Sequence, residues 1–445
     1  MMRKKKEFTR RDFLQMSAIA AAGALAGACV PKATEVAEVT RLVDNPVEVT
    51  RVVEKPVEVT AEIPEILEME FWNGIGPPEG VLMQDFMNRF EDSRTDLTVA
   101  QWTTDWEAFY TKILTTYAEG MGPDLAITHP RYLAVYADTI FQPIDDLVDA
   151  DADIDPSMFA NTAWQGGSYN GKQYGIPLDA HMYALYYNVR LLEEAGLDVP
   201  QTEDELVQAA ITLTKPPNQW GLSSGYNGLW AFIGYMAHRG QKGLLSEDGT
   251  KAAFNNEAGI AALQRMYDNI YKDKISWSPD EGLDPFQTFM TQTCAMRIGP
   301  TWEKFTWDSV PDLYYNSVVF MPEQPGTWGS HHLLVFPRMG SEEETQAAWE
   351  AAKFIVKNCS VEWGIRAGHV PALLEAAESE EYQGVREMQG FRDSVPHVIT
   401  LPRVAKHAEI SGVMWGNIGA ALYNAMGVED ALADAEEQVN ALLAA

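Results

Sequence analysis

Four short segments near the start of the body constrain the fold most: "ILEMEFW", "VLMQDFMNRFED", "LTVAQWTT" and "PDLAITH". The first, third and fourth read as strands, and the second places Leu82, Phe86 and Phe90 on one helical face. Between the last two strands, Trp106, Phe109, Tyr110, Ile113, Leu114 and Tyr117 form another amphipathic stripe. Strands separated by helices pair in parallel, with right-handed crossovers and helices on both faces. From Leu185 the pattern turns more helical. Thr202 with Glu205 makes a capping box before "ELVQAAITLT", and Asn256 starts "EAGIAALQRMYDNIYKD". "CAMRIG", "NSVVFM" and "HHLLVFP" read as strands, and "EETQAAWEAAKFIVKN" and two final helices follow. The body holds about 380 residues, too many for one compact core and right for two lobes.

The first 28 residues are an export signal. "MMRKKKEFTRRDFLQ" is basic, and the apolar run after it is shorter than the roughly 20 residues of a membrane span. Thr9, Arg10, Arg11, Asp12, Phe13 and Leu14 resemble a twin-arginine address. "LAGAC" resembles a lipoprotein cleavage box, with Cys29 as the acylated residue and Ala26 where Leu is usual. Residues 29–63 then carry a ten-residue repeat, Glu38 onward and again from Glu48, interrupted by Pro46 and Pro56. They read as a tether between a lipid anchor in the membrane and the body.

The formal charge is −31, and the basic signal makes the exported part more acidic still. Such a body repels phosphate backbones, so nucleic acid is excluded as a partner. Cys294 and Cys359 read as buried apolar residues that do not pair. No zinc spacing or catalytic signature appears, the eight histidines are scattered, and neither a metal nor a cofactor is expected. His331 and His332 adjoin on a strand, so only one faces any cleft. Gly166, Gly171 and Lys172 mimic a phosphate loop, but Gln173 replaces its Ser or Thr, and aromatic flanks around Asn170 and Gly171 signal a hairpin. "DADADID" mimics a calcium loop but has Ile154 where Gly is needed and Ala160 where Glu is needed, which leaves a solvated acidic loop.

In "GIPLDAHMYALYYN", Asp179 and His181 raise the question of an acid/base pair or a ligand cradle. Tryptophans beside Gly and Pro at strand ends, Trp72, Trp302, Trp328 and Trp415, are placed to line a cleft, because ligands bind at strand ends in open α/β sheets. Aromatic faces suit the CH face of a sugar ring, and carboxylates, Arg and amides suit its hydroxyls.

In order, "EMEFWNG", "GPDLAITHPR", "FQPIDDLV", "NGKQYGIPLDAHMYALYYN", "QTEDELVQAA", "CAMRIGPTWE", "AAWEAAKFIVKN" and "AGHVPA" resemble the extracellular solute-binding proteins of ABC importers, in the carbohydrate group that includes maltose-binding protein. The resemblance implies an α/β, two-lobe, periplasmic-binding-protein-like fold of type II with a hinge and an interlobe cleft. Lobe one takes 64–178 and 330–366; lobe two takes 179–329 and 367–445. The chain crosses near 177–179, 326–329 and 367–371. The protein is then a monomeric, non-enzymatic binding subunit that closes on a carbohydrate and presents it to the permease subunits in the membrane. Carried over by position, Asn73, His129, Arg131, His181, Trp302 and Trp415 contact the ligand, with Trp328, Asp179 and His369 as hinge or cleft-edge candidates. Pro130 and His181 depart from the family's Asp and Glu, so the ligand is not maltose. Three alternatives stay open: a polyol phosphate such as glycerol phosphate, with Arg131 as the anion contact; a secreted glycosidase or lyase; and a ligand-loaded sensor partner.

Overall fold

The computed structural model describes residues 66–137, 139–223, 228–337 and 340–445. The export signal, Cys29 and the tether expected at 29–63 lie outside the described residues. No helix among the described residues is long and apolar enough to cross a membrane.

The opening alternation folds as β1 (Leu67–Asn73), α1 (Glu79–Asp92), β2 (Leu97–Thr103), α2 (Trp106–Ala118) and β3 (Leu125–Thr128). Strand β1 pairs in parallel with both β2 and β3. Helix α1 buries Leu82, Phe86 and Phe90, with Met83 and Met87 beside them. Helix α2 is capped by Asp105 and buries Phe109, Tyr110 and Ile113. Leu114 departs from the expected stripe: it falls at the margin of that face and is exposed.

The hairpin signal is realised as β4 (Ser168–Tyr169) and β5 (Lys172–Gln173). Asn170 and Gly171 both have positive φ, 47° and 78°, as a tight hairpin turn demands. No helix follows this loop, so it is not a phosphate cradle. The acidic loop is less solvated than expected: Asp151 accepts hydrogen bonds from Trp349 Nε1 and Lys353 Nζ, and Ile154 is buried.

The remaining strands are β6 (Gly175–Asn188), β7 (Trp220–Ser223), β8 (Cys294–Pro300), β9 (Tyr315–Val318), β10 (Thr327–Val335), β11 (Val370–Pro371) and β12 (Val398–Ile399). The main path runs β2-β1-β3-β10-β6-β8-β7, with β9 and β11 also on β6 and β12 on β10. Strand β6 is shared. Its residues up to Met182 pair antiparallel with β10, and Tyr183 to Tyr187 pair with β8.

The longer helices that follow are α3 (Glu203–Leu213), α4 (Gly228–Ala237), α5 (Glu257–Tyr271), α6 (Glu342–Phe354), α7 (His407–Leu422) and α8 (Val428–Ala444). Thr202 and Asn256 cap α3 and α5, but the box expected at Thr202 is only half made: its hydroxyl accepts from Glu205 N–H, while the Glu205 carboxylate reaches one residue further back, to Gln201 N–H at 2.7 Å. One core gathers Phe71, Phe86, Trp349 and Trp363 around β1, α1 and α6. A second, larger one gathers Leu206, Phe232, Leu263, Met296, Met414 and Leu432 around α3, α4, α5, α7 and α8, and smaller clusters flank both. Cys294 and Cys359 are buried free thiols, one in each half of the molecule.

Candidate functional site

Strand alternation points Asp179 and His181 to the same side of β6. Strand β10 brings His332 opposite Asp179, just before a bulge at His332/Leu333. The segment entering β11 adds His369, since Pro371 pairs with Asp179. Asp179 is fully buried and becomes the hub of this floor. Its Oδ1 accepts from the His332 backbone N–H at 3.2 Å and lies 3.3 Å from His181 Nδ1. Its Oδ2 accepts from Trp363 Nε1 at 2.7 Å and lies 2.8 Å from His332 Nδ1 and 3.5 Å from His369 Nδ1. On its far edge His369 reaches Glu79 through Nε2 at 2.9 Å. His331 points the other way, with Nδ1 on the Asp179 carbonyl, so the alternation expected of the His pair holds.

Burial opposes charge on Asp179, yet His332, His369 and His181 outweigh it and hold the carboxyl well below its usual range. Burial wins at Glu79, whose pKa is raised despite the pull of His369. Burial also depresses His181, with His332 adding repulsion, and depresses His129, with Arg131 adding repulsion. His369 is the exception: Asp179 and Glu79 overcome its desolvation and raise its pKa.

This floor opens into a cavity of about 430 Å³ whose walls are aromatic: Trp106 from α2, Trp230 from α4, and Trp302 and Trp328 beside β8 and β10. Trp106 lies parallel to His332 at 5.4 Å, and Trp230 stacks on Trp328 at 4.1 Å. Trp230 also lines an adjoining cavity of about 640 Å³, bordered by Tyr183, Trp277, Trp415 and Tyr423.

The structure brings His129, Arg131, His181, Trp302, Trp328 and His369 together on the first cavity, with Asp179 behind them, and sets Trp415 on the second. His129 is held by Tyr110, whose hydroxyl sits 2.7 Å from Nδ1. Arg131 lies over the Tyr132 ring. Asn73 does not reach either cavity. Its amide is spent on Ile75 N–H and Thr103, which shapes the Gly74–Ile75–Gly76 turn of the cleft wall. Trp72 is corrected outright: it packs against Trp102 at 5.2 Å, under Lys112, in a core between β1, β2 and α2. Glu79, Trp106 and Trp230 were not singled out as cleft residues, and of these only Trp106, in an aromatic stripe, carried a signal; of the adjacent histidines, one of which was expected to face a cleft, it is His332 that does. The histidines that sequence spacing leaves scattered converge.

The model of a family described as bacterial extracellular solute-binding protein matches residues 85–389. A binding protein of Brucella abortus is 23% identical over 382 residues, covering 82% of this chain and 90% of its own. The sn-glycerol-3-phosphate-binding periplasmic protein UgpB of Yersinia pseudotuberculosis is 24% identical, covering 74% and 79%. Among solved structures, maltose-bound MalE3 of T. maritima superposes with a TM-score of 0.76 at 22% identity, covering 84% of this chain and 100% of that one. The expected periplasmic-binding-protein-like α/β fold is therefore present.

Proposed function

The chain belongs to the bacterial extracellular solute-binding proteins, and from that premise we propose that it is the carbohydrate-binding subunit of an ABC importer. It closes on a sugar and delivers it to the membrane permease, held at the outer face of the cell membrane through lipidated Cys29 and the 29–63 tether. Residues 64–178 with 330–366, and 179–329 with 367–445, act as the two lobes, and the crossing segments flex as the hinge.

One observation carries the ligand class. Trp106, Trp230, Trp302 and Trp328 face a cavity whose other walls offer Glu79, Asp105, His129, Arg131, His181 and His332. Flat apolar faces beside donors and acceptors suit a pyranose. The adjoining cavity, with Trp415, supports a ligand longer than one ring. Solute binding by the family favours a site without turnover over the glycosidase or lyase reading.

Arg131 favours a second reading, a polyol phosphate, in line with the UgpB relative. Glu79 and Asp105 in the same walls oppose a phosphate.

Calorimetric titration with mono- and oligosaccharides and with glycerol phosphate separates these readings. A sugar should bind, and Trp302→Ala should weaken it by about 10-fold, the loss of one aromatic contact worth roughly 1.5 kcal/mol. Sugar affinity unchanged in Trp302→Ala and Trp230→Ala would remove the aromatic cleft from the ligand site. Binding of glycerol phosphate alone, abolished in Arg131→Ala, would replace the sugar. Release of shortened sugars would make the protein an enzyme.

A further inference from the structure

We propose that Asp179, His181, His332 and His369 bind one divalent transition cation, zinc by preference, at the floor of the cleft. Each residue offers one ligand atom, and the four atoms lie within 4.8 Å of one another. The three Nδ1 atoms stand 2.8, 3.3 and 3.5 Å from the oxygens of Asp179. In a tetrahedral zinc site with bonds of about 2.0 to 2.1 Å, neighbouring ligand atoms are about 3.3 Å apart. The three histidine-to-carboxylate distances are close to that spacing, and small side-chain shifts would draw the four ligand atoms, now within 4.8 Å of one another, onto one ion. Three imidazoles and one carboxylate form a donor set for zinc and its neighbours, whereas calcium and magnesium take oxygen.

His369 supplies an independent indication. It is 1% exposed, and its Nδ1 has no hydrogen-bond partner. A buried ring nitrogen left open is costly unless something fills it. Its other nitrogen is bonded to Glu79, and its ring lies flat on Trp363, 4.9 Å away with 1° between the planes. With Nε2–H donated to Glu79, loss of the Nδ1 proton to an incoming metal ion would leave the Nδ1 lone pair facing the Asp179 side of the cluster. A carboxylate behind a ligating imidazole is the outer partner that metal sites use to fix ring and tautomer. Trp363 Nε1 orients the Asp179 carboxylate in the same way.

Charge points in the same direction. Glu79 and Asp179 put two carboxylates into the floor, and their paired bases are histidines rather than Lys or Arg. One divalent ion balances both. Entry is through the cleft, since Glu79, His181, His332 and His369 all line the first cavity.

The site shares Glu79, His181 and His332 with the sugar cavity but has its own test. The full chain, carrying no polyhistidine tag, is stripped with a chelator and titrated with Zn2+, and retained metal is counted by elemental analysis. One equivalent should bind. Co2+ in its place should give the intense visible bands of a tetrahedral site. His369→Ala and His332→Ala should lose the stoichiometric site, and Glu79→Gln should weaken it about 10- to 100-fold, as outer-partner changes do. Exposed His397→Ala should bind as the parent does. The proposal is overturned if the parent chain retains no stoichiometric zinc, or if folded His369→Ala and His332→Ala retain it unchanged. Should those variants fail to fold, a Co2+ spectrum of the parent without tetrahedral bands overturns it as well. Sugar titrations of the stripped and zinc-loaded protein keep the two readings separate, since either ligand can bind while the other fails.

Discussion

Asp179 shows how far a residue's meaning depends on partners that the local sequence does not contain. Beside His181 it reads as half of an acid/base pair. In the fold it is surrounded by His181, His332, His369 and Trp363, with no nucleophile among its hydrogen-bond partners. Another histidine, His407, has a different role. Its ring meets Tyr132 edge-on at 4.4 Å, which ties α7 to the turn after β3. Burial, aided by Arg131, depresses its pKa to about 4. Because the folded value lies below the unfolded one, near 6.5, its neutral form supports the fold at neutral pH. That support is lost progressively as pH falls from about 6.5 through 4. Urea unfolding of the parent and of His407→Gln should therefore converge across that window, and a constant stability gap would refute the assignment. At this scale the sequence was legible where one segment supplies the residue, as with His129, Arg131 and His181. It was illegible where segments far apart meet: Glu79 and Trp230 carried no signal, and the convergence of His332 and His369 on Asp179 was not foreseen.

Regular elements were legible because each carries its own start signal and periodicity. Thr202, Asn256, the apolar face of α1 and the Asn170–Gly171 turn all appear where local chemistry places them. Irregular segments were not, and they carry much of the site. Helix α6 continues through two widened turns, Ile355–Cys359 and Trp363–Ala367, that deliver Trp363 and His369 to the floor. The exit from the second turn is Gly368, with φ +78°. A Cβ there would meet the Thr301 carbonyl at 2.5 Å and Lys304 Cβ at 2.9 Å. Only glycine fits both the backbone and the space. Gly368→Ala should cost about 1 to 3 kcal/mol, the usual penalty for such strain, measured by urea unfolding. It should also weaken ligand binding, because His369 follows directly. A variant of unchanged stability would show that the turn relaxes freely.

In the whole molecule, β6 and β10 join the two cores, and the cleft lies between them. Arg403, before α7, donates through Nη1 to the backbone carbonyls of Ser168 at 2.6 Å and Gln165 at 3.3 Å, next to the β4–β5 hairpin. None of these groups lines the first cavity. In a protein that alternates between open and closed forms, a ligand binds in proportion to the fraction already competent. A contact made only on closing therefore raises affinity without touching the ligand. Arg403→Ala removes two charge-assisted hydrogen bonds at an exposed site, worth about 1 kcal/mol together after solvent competition. The closed fraction and the affinity should then fall about 5-fold, with the enthalpy of the ligand contacts themselves unchanged. Small-angle scattering should show the unliganded variant as more expanded than the parent, and saturating ligand should bring both to the same compact radius. Equal affinities and equal unliganded radii would mean that Arg403 does not act as a latch and that closure is set by the ligand alone.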